Sequence, residues 1–304
     1  MARPDPRSPS WPTPHLGVSA IVGIAVLAVL WTRSFGGGPV GVRTAAGLAA
    51  CTYLSIAGHE LGHAAAARAA GADVHRLTVN ALGGWTEYDR AGATPGREAL
   101  IAAAGPAVNV ALALTAAALS QVGGWFGALA TAVAGTNLLL ALLNLIPVAP
   151  LDGGTLLAAV LWRATGSHYR GVAAAAWAGR VAGVAVAGSP FLLVAFGRPV
   201  SAPSAVSTLL FGTFLFAAAT ARLYAARVEA HTSGMTAADV CQPGPGPEAA
   251  AVTVRADTPL VDVAAQVPPG AVGDVVDGDG NRTGWVHGDD VAGRLRAAAS
   301  TRPQ

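Results

Sequence analysis

Long apolar runs separated by short polar breaks fill the first three quarters of the chain, and the rhythm then changes. Residues 16–31, 45–70, 98–122, 125–146, 171–196 and 204–223 are apolar on nearly every face and lack the polar stripe of a helix on a soluble surface. Most of them reach the ~20 residues that a helix needs to cross a bilayer. The pattern therefore predicts an α-helical polytopic membrane protein of about six transmembrane helices. From residue 228 onward the chain is polar, with a short strand at 252–254, a helix start at 258–264 and a strand around Val275. An Asp-Gly turn at 277–281, a strand at 283–286 and a last helix opening at Asp289-Asp290 follow. Asp-Gly between apolar strands is a hairpin signal, so this part reads as a small α/β cytoplasmic C-terminal module. The expected divisions are 1–14, a polar Pro-rich cytoplasmic tail; 15–227, a six-span membrane domain; and 228–304, the soluble module.

Composition agrees. The 304 residues are 53% hydrophobic and 12% charged, with a mean hydropathy of +0.49, against about a quarter charged in soluble domains. A net charge of +2 gives no footprint for nucleic acid. Every basic side chain is arginine, and with the abundance of Ala and Gly this points to a bacterial source of high GC content. With six spans both termini lie on one side. Arg3, Arg7, Arg68, Arg76, Arg90, Arg97, Arg163, Arg170, Arg222 and Arg227 then face Arg33, Arg43 and Arg198 across the membrane. The richer side is cytoplasmic, which places both termini inside a multi-pass protein of the cell membrane. Cys51 and Cys241 lie in regions of different character and have no metal-site spacing.

The candidate chemistry starts at Gly58-His59-Glu60-Leu61-Gly62-His63. Residues four apart share a helix face, so His59 and His63 can grip one metal ion, with Glu60 in reach of a metal-bound water as its base. Ionisable groups in an apolar helix are costly, and that cost argues for function. A catalytic zinc needs a third protein ligand. Asp152 is the candidate, the only carboxylate between Glu98 and Glu229, set between Pro147 and Pro150 on one side and Gly153-Gly154 on the other. As a plain helix cap, Asp152 would instead start the following helix.

H-E-x-x-H in an apolar helix, then Gly105-Pro106-Ala107-Val108-Asn109, then N-x-x-P-x-x-P-L-D-G-G from Asn144 to Gly154, resembles the site-2 protease family of intramembrane zinc metalloproteases (M50 type). The resemblance covers His59 to Gly154. It implies one zinc per chain held by His59, His63 and Asp152, with Glu60 as catalytic base and Asn144 holding substrate or supporting the reaction centre. The activity implied is that of a zinc metalloendopeptidase, hydrolysing a peptide bond in or near the transmembrane segment of a single-span membrane protein, as in regulated intramembrane proteolysis. Its alternatives are a catalytically inactive relative that binds membrane proteins and a transporter with a regulatory tail. Asn109 is either a hydrogen-bonding link between helices or a group that orients a zinc ligand. The strand-like stretches around Gly83-Gly84 form either an ordinary hairpin or an edge that pairs with an unwound substrate. The C-terminal module resembles a single CBS module, which implies a homodimer contact or a nucleotide ligand.

Overall fold

The structure, a computed structural model, describes residues 15–16, 18–80, 83–89, 92–244 and 252–300. The expected tail at 1–14, and Arg90, lie outside the described residues. The chain divides into two compact units, Met1–Ala182 and Gly183–Gln304.

The first unit begins with a two-residue strand, β1 (His15–Leu16), and helix α1 (Val18–Ser34). Helix α2 (Gly38–Ala69) carries the histidine motif. A hairpin of β2 (Val74–Asn80) and β3 (Gly83–Tyr88) follows, and then α3 (Pro95–Leu119). Helix α4 (Gly124–Asn144), α5 (Asp152–Thr165) and the first half of α6 (His168–Ala195) complete it. Strand β1 pairs parallel with β2, and β2 antiparallel with β3, so β3 is an edge strand. Helix α3 starts cleanly because Pro95 needs no amide partner in the first turn and the Thr94 hydroxyl accepts from the Arg97 amide at 3.3 Å.

Five helices among the described residues are long and apolar enough to cross a membrane: Gly38–Ala69, Pro95–Val122, Gly124–Asn144, His168–Ala195 and Ala202–Thr232. The expected first span is shorter. Its 17 residues rise only about 25 Å at 1.5 Å each, less than the ~30 Å hydrocarbon core. Leu16, expected at the start of that span, is instead strand together with His15. Around α2, the core joins Tyr53, Ala64 and Ala67 to Leu77 and Val79 of β2 and Ile101 of α3. The first unit therefore wraps α2 on several sides, with α1, α3 and α4 packed on it. At the N-terminal ends of α2 and α4, the Arg43 guanidinium stacks on the Trp125 ring at 4.3 Å, and Trp125 Nε1 donates to Thr44 Oγ1 at 2.8 Å.

The second unit holds the rest of α6, α7 (Ala202–Thr232), and β4 (Val252–Arg255), α8 (Leu260–Gln266), β5 (Val272–Val276), β6 (Arg282–His287) and α9 (Gly288–Ser300). The division expected at 227–228 falls inside α7. Strand order is β4-β5-β6, the first pair parallel and the second antiparallel. Val254, Leu260, Val263, Val275, Val286 and Val291 fill its small core. The hairpin turn is set by Asp277, whose carboxylate accepts from the amides of Asn281 at 2.8 Å and Asp279 at 3.0 Å.

Candidate metal centre

His59, Glu60 and His63 are buried, at 7%, 6% and 8% exposure, on the stretch of α2 that meets α3. One helical turn separates the histidines, and their rings meet edge to face with centroids 4.7 Å apart. Helix α3 can lie this close because the facing positions have no side chain. A methyl built on Gly62 would fall 2.9 Å from the Ala104 carbonyl oxygen and 2.8 Å from Val108. This is the close helix approach that small residues permit in membranes.

Asp152 arrives from the other end of the unit. The chain leaves α4 at Asn144, and Val148 N donates to Ile146 O at 2.7 Å in the loop that follows. The Ala149 amide donates to Ala175 of α6 at 3.0 Å, which ties the loop to that helix. Gly153 and Gly154 pack directly on the backbone of 145–149, where a Cβ would collide. Asp152 is thereby the first residue of α5, and Leu151 occupies the cap position without a side-chain cap bond. The carboxylate turns to the histidines instead. Oδ2 lies 3.0 Å from His59 Nε2 and Oδ1 3.3 Å from His63 Nε2.

The proton bookkeeping at this cluster points to a cation. His63 Nδ1 sits 2.7 Å from the Ile101 carbonyl oxygen, which can only accept, so Nδ1 carries the hydrogen. His59 Nδ1 sits 2.5 Å from Asn109 Oδ1, again an acceptor. In its neutral form each imidazole then turns the lone pair of Nε2 inward, with the two Nε2 atoms 3.0 Å apart. Asp152 adds a carboxylate, and its buried Oδ2 has no hydrogen-bond partner despite the 3.0 Å to His59. Two lone-pair nitrogens and an anionic oxygen, all within 4.8 Å of one another, form a donor set for a metal ion and a poor hydrogen-bonded cluster. Nitrogen and carboxylate ligands of this number suit zinc with an open coordination position. The space is kept clear by Gly105 of α3: a methyl there would sit 2.6 Å from His59 Nε2 and closer still to His63 Nε2.

Glu60 points to the hairpin. Thr86 Oγ1 of β3 lies 2.8 Å from Glu60 Oε2, to which it donates, and 3.1 Å from the Glu60 carbonyl. Gly84 packs against the Glu60 side chain so tightly that a Cβ there would overlap it. Alternation along β3 turns Gly84, Thr86 and Tyr88 inward and leaves Trp85 and Glu87 exposed, with Trp85 Nε1 donating to Glu87 at 3.0 Å. Gly83 differs from its neighbour, since it pairs with Asn80 at the hairpin end and has open space around it.

The structure thus brings together His59, His63 and Asp152, adds Asn109 behind His59, and sets Gly84 on Glu60. Asn144 closes α4 half-buried, seven residues beyond the fully buried Asn137. The sequence reading missed Thr86 and Asn137 and gave Gly105 no role of its own. Asn137 bonds to Asn109 at 3.0 Å and to Ser55 at 3.0 Å. Its only sequence signal is an amide in the middle of an apolar run, and Thr86 gives none.

Comparison with known proteins gives the same direction. Residues 47–125 and 121–187 match the model of peptidase family M50. The chain is 37% identical over 211 residues to Rip3 of Mycobacterium tuberculosis, covering 64% of this chain and 50% of that protein. It is 32% identical over 201 residues to sll0528 of Synechocystis sp., covering 63% of this chain and 50% of that protein. Both are provisionally named zinc metalloproteases, and the chain spans about half the length of each. Among solved structures it is similar to the site-2 protease from Methanocaldococcus jannaschii, with a TM-score of 0.52 and 22% identity over 69% of this chain and 90% of that one. At that identity the likeness is one of fold.

Proposed function

We propose that this chain, which matches peptidase family M50 over residues 47–187, is a membrane zinc metalloprotease of the site-2 protease type. The observation that carries the reading is the inward crowding of two imidazole lone pairs and a carboxylate in a buried, apolar helix bundle. His59, His63 and Asp152 would hold one zinc per chain. When bound there, zinc would polarise a scissile carbonyl and acidify a water.

The remaining chemistry belongs to this chain's own groups. Glu60 takes the proton from the attacking water on its carboxylate and returns it to the leaving amine. Thr86 steadies Glu60 Oε2 for that task through its 2.8 Å hydrogen bond. A helical substrate shields its peptide bonds, so a single-span membrane protein must unwind locally before it is cut. The free edge of β3 offers backbone partners to such an unwound strand, and Gly84 and Thr86 on the same strand bring that edge to Glu60. Regulated intramembrane proteolysis is the process this chemistry suits. A multi-pass placement with both termini cytoplasmic requires α1 as a sixth, short span and accords with the arginine distribution, and the lysine-free, Ala- and Gly-rich composition accords with a bacterial source. The β-α-β-β-α order of the C-terminal module is compatible with a CBS-like role in dimer contact or nucleotide binding.

The test is zinc content per chain in purified wild type, Asp152→Ala and Glu60→Gln, with cleavage of a single-span substrate panel. One zinc in wild type, loss in Asp152→Ala, and zinc retained without cleavage in Glu60→Gln are expected. A wild type that binds no zinc, or a Glu60→Gln variant that still cleaves, overturns the reading.

A further inference from the structure

Asn137 lies in the middle of α4, touches no atom that the proposed chemistry uses, and is 1% exposed. It is the centre of a hydrogen-bonded line through three helices. Asn137 Nδ2 donates to the Val133 carbonyl at 3.0 Å and to Ser55 Oγ at 3.0 Å. Asn109 Nδ2 donates to Asn137 Oδ1 at 3.0 Å, and Asn109 Oδ1 faces His59 Nδ1 at 2.5 Å.

An amide side chain can be turned end for end, so the direction of such a line has to be set somewhere. Here it is set at both anchors. The Val133 carbonyl can only accept, and the Ser55 hydroxyl commits its proton to the Cys51 carbonyl at 2.8 Å. Asn137 must therefore present its NH2 to them and its oxygen to Asn109. Asn109 must then present its NH2 to Asn137 and its oxygen to His59. Each amide spends both ends, and only one arrangement satisfies every partner. A buried amide left unsatisfied is costly, so the reversed arrangement is disfavoured at both anchors together.

We propose that Asn137 and Asn109 are positioning residues of the metal centre, a two-amide relay that passes the acceptor character of a backbone carbonyl on α4 to His59 Nδ1 and so leaves His59 Nε2 as the ligand atom. The inference rests on the proposed metal reading of His59. It gives the two histidines one logic: His63 meets the Ile101 carbonyl directly at 2.7 Å, whereas His59 reaches the Val133 carbonyl through two side chains. It also separates the relay from ordinary helix adhesion by hydrogen bonds, which needs partners but no direction.

The experiment is zinc affinity by chelator competition, together with the visible spectrum of the cobalt(II)-substituted full chain, for wild type, Asn137→Leu, Asn109→Leu and the double variant. Loss of a group that orients a metal ligand costs about 10–100-fold in affinity. The expected result is a loss of that size in Asn137→Leu with displaced cobalt bands, and a double variant no weaker than Asn109→Leu alone, because the two act as one unit. Leucine keeps the branching and heavy-atom count of asparagine but is bulkier; if it does not yield folded protein, Asn137→Ser opens the same link and is expected to show the same displacement. Wild-type affinity and spectrum in the Asn137 variant overturn the inference, as do losses that simply add in the double variant. A wild type that takes up neither zinc nor cobalt overturns the metal reading and this inference with it, whereas metal binding that ignores Asn137 overturns the inference alone.

Discussion

Gly105→Ala adds a single methyl, and the structure fixes where it goes. The new carbon would lie 2.6 Å from His59 Nε2 and 2.6 Å from His63 Cε1, and nearer again to His63 Nε2. Ordinary contact begins near 3.4 Å, so the rings must retreat by about 0.8 Å, while metal–ligand distances tolerate only about ±0.2 Å. Helix α3 cannot retreat instead without opening the seam where Gly62 meets Ala104 and Val108. The two imidazoles also hold α3 through Ile101 and Asn109, so a shift of either ring breaks a buried hydrogen bond. The methyl is therefore expected to weaken zinc binding by more than 100-fold, about 2.7 kcal/mol or more, with the helical signal kept. Zinc competition by a chelator reads this directly. Gly96→Ala is the control on the same helix, because a methyl there meets nothing within 4 Å. Gly105→Ala protein with wild-type zinc affinity would refute the claim that this glycine keeps the metal position clear.

Two further outcomes are expected. Thr86→Val removes the hydroxyl that holds Glu60 Oε2 while keeping the shape of the side chain. Cleavage should fall about tenfold, the weight of one hydrogen bond to a charged group, with zinc content unchanged; a variant that loses zinc instead would show that Thr86 supports the fold of the centre rather than the base. In the C-terminal module, the Asn281 amide, with help from its side chain and from the Asp279 and Gly280 amides, holds the Asp277 carboxyl below its usual range. A depressed carboxyl stabilises the fold above its unfolded pKa, and that contribution is lost as pH falls through the folded pKa. The melting temperature of the module within the full chain should decline on the acid side, with a shallower decline in Asp277→Asn, and identical acid limbs would count against the turn.

Much of the centre was legible because its signals are local or rare. The four-residue spacing of His59 and His63 is a property of any helix, and Asp152 is conspicuous as a lone carboxylate in a long apolar stretch. What the sequence could not carry was which faces meet. Asn109 bonds to His59 and to Asn137 at once, a pairing across helices that periodicity does not display. Thr86 reaches Glu60 only because β3 folds across α2, a contact between positions 26 apart. Asn137 looks like any polar residue in a membrane helix until its partners on α2 and α3 are known. Gly83 and Gly84 read alike as letters, yet only Gly84 touches Glu60. The helices were readable from hydropathy, but the start of α1 was not. Leu16 is apolar enough for a span and is drawn off, with His15, by pairing with Thr78 and Val79, a tertiary choice invisible to periodicity.

The stacked Arg43 and Trp125, joined to Thr44, form the kind of pair that settles where lipid headgroups begin. Counted along α2 from Arg43, His59 lies about 24 Å further on at 1.5 Å per residue. For an upright α2 in ~30 Å of hydrocarbon, the candidate metal centre would then lie about 6 Å short of the opposite headgroup layer. Hydrolysis consumes one water per bond, and by this reckoning that water has a short journey from one face and a very long one from the other. Were the chain the protease proposed above, supply of that water would be one-sided: agents that seal or dehydrate the near face should slow cleavage, while the same treatment of the Arg43 face should leave cleavage unchanged.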